Sequence, residues 1–326
     1  MTAFRRTALS AFVIGLCNSP LVVAGSMGPI KDCSGYHLFA GIDALYLEPR
    51  NDDLDYVTVY SSGYTKTHNV NLDYDWGFRL YGGVKLLNNN DITIAWQRLH
   101  TNDLDNIGSD GNQPVEPRWL TFFPWEYIRG KSSFDYDEVS GVFAHTKDFA
   151  NGWLVRYGAG AEYAEIDSRL SVKGRTTDFV ERGYSNVSDF HGFGPRVEAD
   201  IFYNLYQDIS VFASANSALL IGERTFALHA LDLDGTSRDF ADRSVVVPKF
   251  GLRVGLDYKK SFDLTGSTSL IDLQLGWQAE TYIDPIERPS TGLIGGEGSV
   301  GVVLPRTSNF SNQGLFFGVK LTSDCL

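Results

Sequence analysis

The segment from Gln313 to Leu321 alternates strictly. Leu315, Phe317, Val319 and Leu321 fall on one face, and Gly314, Phe316, Gly318 and Lys320 on the other. A period of two residues separates two faces in this way only if the chain is extended. One face is apolar and the other small or charged, which is how a strand reads when lipid lies on one side of it. Asn69 to Leu86 repeats the pattern. Val70, Leu72, Tyr74, Trp76, Phe78, Leu80, Val84 and Leu86 share a face, opposite Asn71, Asp73, Asp75, Arg79, Tyr81 and Lys85. Strands of soluble proteins are usually about 5–6 residues long. The greater length here predicts a membrane strand with an extension above it.

The N-terminus reads as an export signal. Arg5 and Arg6 precede an apolar run from Ala8 to Ala24, and Val22-Val23-Ala24 before Gly25 is a small-residue cleavage site. Residues 1–24 are therefore expected to be removed, leaving 25–326 as one domain. Leu16 before Cys17 is too large for a lipoprotein signal. Nothing later supplies the ~18 apolar residues of a spanning helix. The chain holds 40 Asp and Glu against 28 Lys and Arg, a net charge of -12, which argues against a nucleic-acid partner. Aromatic residues make up 13%, and Gly contributes 33 of 326 residues. Both suit a barrel with aromatic girdles and with glycines where strands pack closely.

Further segments alternate. Residues 36–47 set Leu38, Ala40, Ile42 and Tyr46 opposite Asp43. Residues 153–166 set Trp153, Val155, Tyr157, Ala159, Ala161 and Tyr163 opposite Arg156 and Glu162. Residues 192–203 set Phe193, Val197, Ile201 and Tyr203 opposite Arg196, Glu198 and Asp200. Residues 246–258 set Val246, Phe250, Leu252, Val254, Leu256 and Tyr258 opposite Lys249, Arg253 and Asp257. Residues 270–282 set Ile271, Leu273, Leu275 and Trp277 opposite Asp272, Gln274 and Glu280. Weaker strands are 92–99, 134–144 and 209–220. In the first, Arg98 falls on the lipid side with Trp96. In the second, Glu138 does so, with Asp135 and Asp137 inward. Arg98 and Glu138 are read as lying near a rim or beside a bulge.

Short connections (87–91, 145–152, 204–208, 259–269) alternate with long ones (48–68, 100–133, 167–191, 221–245, 284–312). This predicts an all-β fold: a closed antiparallel up-and-down transmembrane barrel of about ten strands, with short periplasmic turns and long extracellular loops. Twelve strands would require a further membrane hairpin in 166–182, which is read instead as strand extension. Pro195 and Pro248 lie inside strands, where each removes a ladder hydrogen bond, so bulges are expected there.

Several short motifs carry a family resemblance. They are Gly25-Ser26-Met27-Gly28-Pro29, Ala44-Leu45-Tyr46-Leu47-Glu48-Pro49, Gly192-Phe193-Gly194-Pro195-Arg196, Val247-Pro248, Gly276-Trp277 and the ending Gln313 to Lys320. Together they resemble the Legionella-type major outer membrane protein family. The resemblance implies a pore-forming barrel in the Gram-negative outer membrane. The ending also resembles the signal by which outer-membrane barrels are recognised for insertion, so outer-membrane lipid and the barrel-insertion machinery are the expected partners. Cross-linking between chains occurs in the family. Here the mature chain has two cysteines, Cys33 and Cys325. They flank the first and last strands, which are neighbours in a closed barrel with both ends in the oxidising periplasm, so a bond between them is expected.

The candidate site is the inward face. Its acids are Asp43, Asp73, Asp75, Asp135, Asp137, Glu162, Glu198, Asp200, Asp257, Asp272 and Glu280. Its bases are Arg79, Lys85, Arg156, Arg196, Lys249, Arg253 and Lys320. They line either a narrow, mildly cation-favouring pore or a packed ion-pair network that conducts little. Trp119-Leu120-Thr121-Phe122-Phe123-Pro124-Trp125 is too apolar to stand bare in a loop. It folds into the mouth, packs on other loops, or meets a host or neighbouring protein. The histidines show no metal-ligand spacing, and no cofactor is implied. Asp232-Leu233-Asp234-Gly235 lacks the later ligands of a calcium loop. Three functions remain: a pore, a structural or adhesin-type barrel working through its loops, and a rim protease built on His100, Asp103 and Asp105. A homo-oligomer fits any of them.

Overall fold

The computed structural model describes residues 36–61, 64–109, 115–117, 125–149, 152–206, 208–231, 237–264, 267–294 and 300–323. The strands are β1 (His37–Asn51), β2 (Asp55–Ser61), β3 (Tyr64–Asn69), β4 (Asp75–Lys85), β5 (Asn90–Gly108), β6 (Val115–Pro117) and β7 (Trp125–Phe149). They continue with β8 (Trp153–Thr176), β9 (Glu181–Tyr206), β10 (Ile209–Leu231), β11 (Ser237–Asp239), β12 (Arg243–Leu264), β13 (Ser267–Ile294) and β14 (Val300–Ser323). β1, β4, β5, β7, β8, β9, β10, β12, β13 and β14 form a 10-strand antiparallel ring, closed where β14 returns to β1. The fold is a transmembrane β-barrel. The leader expected at 1–24, the two cysteines expected to pair and the apolar stretch from Trp119 through Pro124 lie outside the described residues.

The ring turns tightly at one end and rises high at the other. Between β4 and β5 the turn is a short 3-10 segment with Asn88 and Asn89 at φ 62° and 61°. Asparagine tolerates this left-handed backbone better than most residues. At the other end, much of the length expected as loop is strand. β8 and β9 run on to Thr176 and Glu181, so 166–182 is an extension and the strand count is ten.

On β8 the apolar outward face runs from Trp153 to Tyr163, the reach that ~10 tilted residues need to cross the hydrocarbon. Its upper edge follows the ladder through Trp96, Val139, Tyr163, Phe193 and Ile221. The next row is Arg98, Asp137, Glu165, His191 and Glu223. Polarity inverts at that line. Below it, apolar side chains face out and charges face in. Above it, charges face out, and Phe134, Tyr136, Tyr282 and Phe310 fill the inside as a buried cluster.

This inversion corrects part of the sequence reading. Asp135 and Asp137 face outward, and Glu138 faces the lumen and is buried. The aromatics Phe134 and Tyr136 suggested the opposite parity, because an inward aromatic above the membrane mimics a lipid-facing one below it. Asp73 lies in the irregular segment 70–74, not on a strand, and is exposed. β4 is accordingly shorter than expected.

The prolines produce no bulge. The register of β9 on β10 is the same on both sides of Pro195, from Arg196–Ala218 to Phe193–Ile221. Gly194 beside it lets the backbones close up, since a β-carbon there would strike the Leu219 carbonyl. Pro248 pairs with Leu219, but the β13 ladder begins one residue later, at Lys249, so no partner on that side loses a donor. The irregularity falls on β13, between Tyr282 and Ile286, where Asp284 has φ 59°.

The first long connection folds inward. β2, β3 and β6 form a small separate sheet. Tyr56 and Val57 of β2 join Leu54, Val70 and Leu72 in the apolar cluster. A β-carbon on Gly130, which faces inward on β7, would lie 2.7 Å from the Tyr56 ring. The glycine is therefore the seat for that ring. The connection thus packs its apolar side chains against the inner wall of β7 at the extracellular end.

Candidate functional site

The inward charges pair in layers. In the central layer, Lys249 Nζ lies 2.8 Å from Glu138 and 3.4 Å from both Glu162 and Glu280. Arg196 holds Glu138 at 2.7 Å and also meets Glu162. Tyr136 donates to Glu138 at 2.7 Å, Gln97 donates to Glu280 at 2.9 Å, and Tyr282 donates to Glu162 at 3.3 Å. β7 and β12 stand four strands apart in the ten-strand ring, yet their side chains Glu138 and Lys249 touch. Glu162 and Lys249 have no exposed side-chain surface. Ions taken from water at such a cost persist only when mutually paired, and here each is.

Neighbouring layers follow the same rule. Asp43 receives Arg253 at 2.7 Å and Arg79 at 3.4 Å, while the Arg253 guanidinium lies 4.0 Å from the Phe316 ring centre. Toward the short turns, Arg156 binds Asp91 at 2.7 Å and Asp200 at 2.8 Å, and also meets Glu198. Lys320 binds Asp272 at 2.8 Å, and Lys259 binds Asp257 at 3.0 Å. Asp75 sits inward at the upper start of β4. Lys85 ends that strand exposed at the opposite mouth.

Above the membrane, Arg288 crosses the ring from β13 to donate to Ser168 of β8 at 2.7 Å. Its burial lowers its pKa to about 10, against the opposing charge of Asp53 from the first connection. Arg224 donates to Glu287 at 3.1 Å.

Most inward residues expected from sequence are thus inward, and strand partners bring them together in layers. Asp73, Asp135 and Asp137 are not among them. Glu138, Asp91, Arg224, Glu287 and Arg288 are inward residues that sequence reasoning missed. For Glu138 a signal existed: counting back in twos from Ala144, opposite the lipid-facing Phe143, reaches it. The proposed rim cluster separates, because His100 lies on the outer face of β5 and Asp103 and Asp105 on the inner. His100 Nδ1 is 2.7 Å from Asp135, Tyr56 donates to Asp105 at 3.0 Å, and Asp103 accepts from the Asp73 backbone at 3.2 Å. Among the described residues no group of His, Cys, Asp and Glu is arranged to hold a metal ion.

A profile of the family described as Legionella pneumophila major outer membrane protein precursor matches residues 32–323. No protein of curated function matches the sequence significantly. Among solved structures, the chain is similar to the outer membrane protease OmpT from Escherichia coli at 12% identity. That match covers 88% of this chain and 96% of the other, with a TM-score of 0.37. It is also similar to the Pseudomonas putida toluene transporter TodX (10% identity, 89% and 90% covered, TM-score 0.33). A third is Ail of Yersinia pestis, solved with a heparin analogue (12% identity, 88% and 98% covered, TM-score 0.22). Likenesses this distant add nothing to the fold read from the strand pairing.

Proposed function

We propose that this chain, which belongs to the family of the Legionella pneumophila major outer membrane protein precursor, is an outer-membrane barrel whose lumen is occluded, in place of the open pore that the family resemblance implies. In this reading it acts through the surface it raises above the membrane. The observation that carries this reading is the 2.8 Å contact between Glu138 and Lys249, reaching across the lumen from strands four apart in the ring. A water-filled channel would leave such charges hydrated, as in wide porins. Here they neutralise one another across the axis. The first connection, seated on Gly130, adds a second closure above them.

Proteoliposomes loaded with a small sugar and potassium salt test this reading. Release no faster than from protein-free vesicles is expected. Rapid, size-dependent release would overturn the reading and restore an open porin.

A second reading, a narrow cation-favouring conduit, draws on the layer around Arg156. There Asp91, Glu198 and Asp200 gather on Arg156, with Arg196 adding only a 3.4 Å contact to Glu198, and the acidic excess suits a passing cation once the upper closure loosens. The extracellular extension remains the place for a neighbouring or host partner. A protease is disfavoured by the separation of His100 from Asp103 and Asp105 onto opposite faces of β5.

A further inference from the structure

On the outer wall of the extension, β5, β7 and β8 form a groove of about 390 Å3. Three ladder rows build it. The upper row is Asn106, Arg129 and Lys173, the middle row Leu104, Lys131 and Ser171, and the lower row Asn102, Ser133 and Arg169. Arg129 and Lys173 stand directly opposite each other, an arrangement that destabilises a sheet when both carry the same charge. Lys131 and Arg169 add two more cations. None of the four has a carboxylate partner within ion-pair distance among the described residues, and Arg129 donates only to the amide oxygen of Asn106 at 2.8 Å. A chain of net charge -12 has carboxylates in surplus; Asp189 acts on Arg169 from the acid row below, yet Arg129, Lys131 and Lys173 are left without an ion-pair partner among the described residues.

The place of the groove narrows the ligand. It faces sideways over the membrane, not into the lumen. At ~2.5 Å of height per tilted residue, it stands on the order of 15–25 Å above Tyr163 at the edge of the apolar belt. Between belt and groove lie Asp135, Asp167 and Asp189, a cross-strand row of acids facing outward. Although Asp167 keeps its proton up to about pH 7, that row is acidic and disfavours anions lying at the lipid surface. An anion that reaches the groove must project past it.

We propose that this groove binds the anionic, phosphate- or carboxylate-bearing sugar core of the outer-leaflet glycolipid. The cations take the anionic groups, Ser133 and Ser171 offer hydroxyls, and Leu104, half exposed, offers an apolar patch to a sugar face. Guanidinium and ammonium groups suit this division, one by forked hydrogen bonds and the other as a point charge. The proposal rests on the barrel's sidedness and not on whether the lumen conducts, so it and the flux result can fail separately.

The test uses the whole refolded protein in detergent, titrated calorimetrically with deacylated, phosphorylated core oligosaccharide from rough lipopolysaccharide. Arg129→Gln/Lys131→Gln/Lys173→Gln should bind at least tenfold more weakly. Lys147→Gln/Lys260→Gln, at the periplasmic edge, should bind as the parent does. Heat-modifiable migration verifies that each variant folds, and the single Lys131→Gln serves if the triple variant does not. Raising salt should weaken binding by the parent. Equal affinity of parent and folded groove variants would overturn the proposal. So would inorganic phosphate competing as well as the oligosaccharide, which would mark a general anion site. A soluble sulfated polysaccharide binding more tightly than the core sugar would reassign the groove to a free glycan.

Discussion

Lys249 has three carboxylates around it and no exposed side-chain surface. Its removal would leave Glu138, Glu162 and Glu280 sharing Arg196 alone. Lys249→Ala should therefore cost about 3–5 kcal/mol, the usual penalty for stranding buried charge. The double variant Glu138→Gln/Lys249→Met should recover part of the loss. Urea midpoints in micelles measure both, and a Lys249→Ala midpoint equal to the parent's would show that the network contributes little. Outside the membrane, burial and then Asp189, Glu165, Asp135 and Asp137 push Asp167 up to about 7. Its folded pKa lies above the unfolded value of about 3.9. The folded state then holds the proton more tightly, so this contribution is complete below about pH 4 and is lost as pH rises through 7. Thermal stability should fall between pH 5 and 8, and Asp167→Asn should flatten that slope and raise Tm at pH 8. An unchanged slope would remove Asp167 as its cause.

At the scale of elements, the hairpin of β2 and β3 depends on one missing side chain. Gly130→Val would drive a branched side chain into the Tyr56 ring and into Val70. Overpacking of this kind costs about 1–3 kcal/mol. The hairpin should lift, and trypsin should cleave after Lys66 faster on intact cells; an unchanged rate would mean that the hairpin is held elsewhere. The sequence made the membrane part of the strands legible, because lipid imposes one rule on every second residue. Lys249, Arg253 and Asp257 were readable for that reason. Above the membrane the rule reverses. Phe134 and Tyr136 then pulled the parity of β7 the wrong way and hid Glu138. The hairpin's seat was not legible at all, since nothing local distinguishes Gly130 from the glycines that merely ease strand packing.

The whole molecule shows what ring closure adds. Glu138 and Lys249 lie 111 positions apart, and no periodicity along the chain announces that they meet. The inward charges were readable one strand at a time, but whether they line an open path or cancel across it depends on the diameter of a ten-strand ring. In this structure Glu138, Glu162 and Glu280 meet Lys249 and Arg196 across it, with the buried aromatic cluster above them, which is why the lumen is read as occluded. The most direct test is a planar-bilayer recording of the refolded protein in symmetric potassium chloride near neutral pH. The account predicts a quiet baseline with no sustained conductance steps at moderate voltage. Steady, ohmic, long-lived openings of uniform size in the unmodified protein would contradict it.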